Sequence, residues 1–215
     1  QELFEYVTAV KKAGKLEEAR KLFLLSIELI IVVAVAMACG ISAISKEFTP
    51  FFFGKGYDEC IRLIIALSPV LVIKGLSEIA RMQYLIPNHK EKIFIESVFC
   101  GAGVNFVVNW FLISRLGALG AVIGTLVAEL VSCVWQYIKM NKYISCLTTI
   151  FKSMIYVVFG VIMFTIVRVV ALCFNGGIVA LFFEVLAGII TYAVICLIYW
   201  KVTKNKIVGL VIKKK

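Results

Sequence analysis

The stretch ECIRLIIALSPVLVIKGLSEIARMQYLIP, residues 59–87, is apolar enough to enter a bilayer yet carries charges that hydrocarbon rejects. Lys74, Glu78 and Arg81 stand four and three residues apart, so all three project from one face of a helix. Near the centre of a span each such charge costs roughly 2.5–3.5 kcal/mol, whereas each Ile, Leu or Val returns about 0.3–0.6 kcal/mol. Alone, this helix would insert poorly. Its charged face has to meet other protein or a wet cavity, and intramembrane charge of this kind marks a candidate functional site. Pro69, preceded by Ser68 and followed by Gly75, removes a backbone hydrogen bond and crowds the carbonyl of Ile65. A kink is predicted there, just outside the charged turn. Kinked helices with polar turns near mid-bilayer are the material from which transporters build sites.

The rest of the composition agrees with an all-α integral membrane protein. The 215 residues are 62% hydrophobic and 17% charged, a balance that no soluble surface carries. The net charge of +10 does not indicate nucleic acid, because the basic residues fall between apolar runs rather than along one polar face. Seven cysteines lie singly, mostly within apolar runs and without a CxxC pair, and read as small core hydrophobes rather than a redox or zinc site. His89, the only histidine, lies in a charged loop with nothing to complete a catalytic dyad or metal site, and no cofactor is expected. Asp58 is the only aspartate, so the paired aspartates of many glycosyltransferases are missing. No phosphate loop, HExxH or nucleophile elbow occurs, and an enzyme is not expected.

Residues 1–21 read as a charged, amphipathic cytoplasmic connecting segment. Six spans follow at about 22–44, 60–86, 93–113, 118–138, 153–174 and 177–200, and residues 201–215 form a basic tail. The polar turn after the first span contains Pro50, two glycines and the interfacial aromatics Phe51, Phe52, Phe53 and Tyr57. Gly117, Gly120, Gly124 and Ala128 place small residues along the fourth span, which predicts a close packing seam. Arg168 and Glu184 both lie toward the turn at Asn175 and Gly176, and are expected to pair across that hairpin.

Lysine and arginine concentrate on one side, at both chain ends and in the loops at 87–92 and 139–152, which is assigned to the cytoplasm. Lys46, Lys55 and Arg115 lie on the other. Glu28, Glu78, Arg81, Glu96 and Glu129 then share the cytoplasmic half of the membrane, with Lys74 near the midplane. Two arrangements would satisfy them: a closed network, or a hydrophilic cavity open to the cytoplasm. The cavity is favoured, since apolar residues would serve packing better.

FGKGYDECIRLIIALSP (residues 53–69), then YLIPNHKEK, then GAGVNFVVNWFLISRLGALGAVIGTLVAELV (residues 101–131), resembles the C-terminal half of bacterial polysaccharide flippases. That family belongs to the superfamily of multidrug and toxin extrusion exporters. The most specific piece is VNFVVNWFLISRLGALGA, where Asn105, Asn109, Gly117, Gly120 and Ala121 occupy family positions; Ser114 and Arg115 replace a frequent isoleucine–proline. The resemblance covers residues 10–140 and reaches the last hairpin only through hydropathy. It implies a two-lobed MATE-like transporter of which six spans form only the C-terminal part, with a further N-terminal lobe as partner. The expected substrate is undecaprenyl-pyrophosphate-linked oligosaccharide, moved across the inner membrane, with other polysaccharide assembly proteins as further partners. Lys74 and Arg81 would attract the pyrophosphate, Glu78, Asn105 and Asn109 would line the same site, and Glu28, Glu96 or Glu129 would bind a coupling cation or proton. A cation-coupled drug exporter is the alternative, and a membrane glycosyltransferase or polymerase the third reading.

Overall fold

The computed structural model describes residues 16–174 and 177–203. Residues 1–15 of the expected connecting segment 1–21, the turn at Asn175 and Gly176, and residues 204–215 of the expected tail 201–215 lie outside the described residues; residues 16–21 belong to the first helix and 201–203 to the last. The helices are α1 (Leu16–Phe52), α2 (Glu59–Leu67), α3 (Val70–Ile79), α4 (Glu91–Leu116), α5 (Ala118–Asn141), α6 (Leu147–Ser153), α7 (Ile155–Ala171) and α8 (Ile178–Thr203). A π-helical turn, Ala80–Leu85, and a 3-10 turn, Ile86–Asn88, extend α3. Together they make six spans long and apolar enough to cross a membrane, with α2 through the 3-10 turn as the second and α6–α7 as the fifth.

The first span is the axis of the bundle. Phe23, Ile27, Ile31 and Val35, spaced by four, are all buried. α1 packs against α2 and α3 on one flank and α7 and α8 on the other; α5 covers α2 and α3, and α4 lies along α5. Lipid tails are as apolar as leucine, so this packing draws on close contact and interhelical hydrogen bonds rather than on expulsion of water. Such bonds cross several of these interfaces. Tyr192 donates to the Val32 carbonyl at 2.9 Å, Tyr137 to the Leu76 carbonyl at 3.0 Å, and Ser42 to the Ser68 hydroxyl at 2.7 Å.

Two local departures from the sequence reading matter. α1 runs on through Pro50 to Phe52, so the turn is confined to the residues around Gly54 and Gly56, whose φ values of 87° and 96° suit glycine. Pro50 falls in the final turn, where little of the helical ladder depends on it. The second span is interrupted at Pro69 as expected, but both Ser68 and Pro69 keep right-handed helical dihedrals. The Ile65 carbonyl that proline deprives of a partner accepts a bond from the Ser68 hydroxyl at 3.0 Å. The interruption therefore leaves no orphan acceptor at that carbonyl in the hydrocarbon zone.

The glycine seam lies between α4 and α5. A methyl group at Gly120 would collide with the backbone of Leu112 and Ile113, whereas one at Gly103 on the same pair of helices would meet nothing within 4 Å. Gly120→Ala is therefore expected to destabilise the full-length protein by about 1–3 kcal/mol, the usual cost of overpacking. Gly103→Ala should be neutral or stabilise by up to about 1 kcal/mol through reduced chain entropy. Thermal unfolding of the two variants in detergent checks the difference, and equal midpoints would refute the seam.

Candidate functional site

A cavity of about 500 Å³ opens between the second, third and fourth spans. Lys74, Glu78 and Arg81 line it from the second span, Asn105 from the third, and Glu129 and Gln136 from the fourth. Lys74 lies midway along its span and its ammonium pairs with the Glu129 carboxylate across the helix interface. The lysine side chain remains 59% exposed and the glutamate 23%, so the pair sits at the cavity wall with its cation accessible.

Arg81 is the second residue of the π-helical turn, a wider coil than the α-helix and a frequent feature of functional sites. Its Nε donates to Glu78 Oε2 at 3.1 Å while an Nη2 bond reaches the other carboxylate oxygen, a two-pronged grip within one helix. The guanidinium carbon also lies 5.4 Å from the centre of the Phe94 ring. The far wall is polar. Gln136 donates to Ser97 at 2.9 Å, Ser132 donates to the Ser97 carbonyl at 2.9 Å, and the buried Gln136 Oε1 has no hydrogen-bond partner among the described residues.

The structure thus brings together Lys74, Glu78, Arg81, Asn105 and Glu129 of the expected set. Asn109 supports the site from behind: it donates to Asn105 Oδ1 at 2.9 Å and sits over Gly124, where a side chain would displace it. Glu28 and Glu96 do not line the cavity. Glu28 faces the other flank of α1 and accepts from Tyr156 at 2.6 Å, and Tyr156 in turn accepts from the Trp200 indole at 2.9 Å. Glu28 is therefore tied into the packing of the first, fifth and sixth spans.

The expected pair of Arg168 with Glu184 is not formed. Arg168 donates instead to Glu47 at 2.8 Å and to the Ala43 carbonyl at 3.0 Å, while Glu184 is fully buried with both oxygens unpartnered. The reason is the length of α1, whose helical continuation past residue 44 carries Glu47 to the arginine. Glu47, Ser97, Ser132 and Gln136 were not singled out from sequence. Ser97 and Gln136 each lie near a charged residue already noted, but only the packing shows that they meet.

Compared with protein-family models, curated proteins and solved structures, the chain gives no match. What fold and site define is a multi-pass, all-α membrane protein with six spans and a charged intramembrane cavity, an architecture consistent with a transporter.

Coupling of Lys74 to Glu129 is open to direct measurement. Lys74→Glu and Glu129→Lys should each lower the thermal midpoint of the full-length protein by placing like charges together. The double exchange should recover most of the loss. Additive losses in the double variant would mean that the two side chains do not interact.

Proposed function

We propose that this chain forms part of a transporter that moves undecaprenyl-pyrophosphate-linked oligosaccharide across the bacterial inner membrane by alternating access, for export of surface polysaccharide. The observation that carries the reading is the placement of two cations, Lys74 and Arg81, in one polar cavity within the spans. Arginine offers a pyrophosphate a planar fork and lysine a compact point charge. Asn105 and Gln136 supply the neutral donors and acceptors that sugar hydroxyls require. The polyprenyl tail would stay in lipid while the head group occupies the cavity.

The lysine and arginine distribution supports a cavity open to the cytoplasm, with both ends of this segment on that side. The likeness to flippases supports a second lobe that would complete the cavity and rock against this one. No enzymatic step is assigned. Glu129 is the carboxylate of the expected coupling set best placed to exchange a proton or cation with the cavity, since it alone of that set lines it.

The decisive experiment uses the full-length gene in its own host and compares the deletion, the wild type and Lys74→Gln/Arg81→Gln. The reading predicts loss of surface polymer, by at least about tenfold, and accumulation of lipid-linked oligosaccharide in both the deletion and the double variant at normal protein levels. Unchanged polymer in a deletion strain without a redundant transporter would overturn it and bring drug export forward.

A further inference from the structure

The fourth span carries a second pattern on the face turned away from the cavity. Leu130, Val134 and Ile138 are 49%, 46% and 56% exposed, and their spacing of four continues to the exposed Lys142. Glu129, Ser132 and Gln136, which line the cavity, stand on the other side of the same helix. We propose that this outer face binds one anionic glycerophospholipid, its phosphate held by Lys139 and Lys142 with Lys90 beside them, and an acyl chain laid along Leu130, Val134 and Ile138. The site is separate from the transport cavity proposed above, and neither reading rests on the other.

The lysines are held by rings rather than by carboxylates. The Lys139 ammonium stands 4.9 Å from the centre of the Trp135 ring. Lys90, just before α4, lies over the ring of Tyr143, the residue after Lys142, and 5.7 Å from the centre of Tyr84. That contact joins the turn between the second and third spans to the one after the fourth, so the three lysines gather at one corner of one membrane face. An aromatic ring fixes an ammonium group in place and leaves its charge intact. None of the three forms an ion pair among the described residues. Across residues 84–96 and 135–152, five lysines stand against two carboxylates, Glu91 and Glu96, so positive charge is in surplus there.

What lies next to the cations decides the kind of occupant. An acidic protein or a free phosphate would answer the lysines and leave the apolar stripe uncovered, whereas a phospholipid answers both. At 1.5 Å per residue the run from Lys142 to Leu130 measures about 18 Å, close to the depth of one leaflet, which is half of a roughly 30 Å core with its adjoining polar zone. The stripe thus has the length of a single lipid chain with its head group at the lysine end. Lysine stems lie along apolar surface while their heads reach the polar zone, and basic corners at the ends of spans select anionic head groups.

The test is native mass spectrometry of the full-length protein in a neutral detergent, titrated with phosphatidylglycerol or with phosphatidylcholine of the same chains. Phosphatidylglycerol is expected to bind at least about tenfold more tightly. Lys139→Gln/Lys142→Gln should bring the two lipids to parity, and Lys139→Arg/Lys142→Arg should keep the preference. Lys46→Gln/Lys55→Gln, on the other membrane face, and Lys74→Gln/Arg81→Gln should leave it unchanged. Glycerol 3-phosphate, which carries the phosphate without the chains, should not displace the lipid. If the double glutamine variant does not fold, Lys142→Gln alone serves, with a partial loss expected. Equal binding of the two lipids to the wild type overturns the proposal, and so does an undiminished preference in whichever glutamine variant folds. Displacement by glycerol 3-phosphate would make this a free-phosphate site, and loss of the preference in the Lys46/Lys55 or Lys74/Arg81 variant would place the lipid elsewhere; either result overturns the proposal equally.

Discussion

A charge inside the hydrocarbon zone has to be answered by another part of the protein, and the Lys74–Glu129 pair is where this chain meets that demand. Each partner on its own would add roughly 2.5–3.5 kcal/mol to the cost of inserting its helix. Their pairing turns the polar faces of the second and fourth spans toward each other. The third span packs along the glycine seam of the fourth, where the backbone at Leu112 comes too close to Gly120 for any side chain. That arrangement leaves Asn105 facing the charges. The cavity is thus a consequence of how these charges and glycines are spaced, rather than a defect in packing.

α1 separates this polar wall from a second electrostatic cluster, Glu47, Arg168 and Glu184. Both flanks obey the same constraint by different means. On the cavity side the polar atoms meet one another and a water-accessible space. On the other side they are buried among apolar side chains and satisfied by specific bonds, as in the run from Trp200 through Tyr156 to Glu28. Glu184 departs from that pattern, which is why it stands out from the other carboxylates. The Ser68–Pro69 break shows the same economy in the backbone, since the hydroxyl next to the proline takes the place of the missing amide.

The six spans were legible in the sequence because hydrocarbon thickness imposes a minimum length of apolar residues, and charged or glycine-containing turns separate the runs. The charged face of the second span was legible from its spacing of four and three alone. Which carboxylate answers Lys74 was not, because Glu28, Glu96 and Glu129 all sit at plausible depths and only the azimuth of each helix distinguishes them. Arg168 was assigned to Glu184 because both lie toward the hairpin turn, and Glu47 was placed in a turn beyond the first span rather than on it. The helix instead tolerates Pro50 and delivers Glu47. The π-helical turn at Arg81 had no signal, since its sequence, ARMQYL, suits an α-helix equally well.

On the proposed reading, the ion pair also sets the terms on which substrate could move the protein. An anion entering the cavity competes with Glu129 for Lys74, which is exposed enough to be reached without unfolding the wall. Arg81 is held less exclusively across helices, because its carboxylate partner is on its own span. Binding would therefore weaken a contact between the second and fourth spans while leaving each helix intact. A ligand shifts a conformational equilibrium only by its difference in affinity for the two states. A bond between moving helices that is present without substrate and exchanged with it supplies such a difference, whereas the intrahelical Glu78–Arg81 pair cannot.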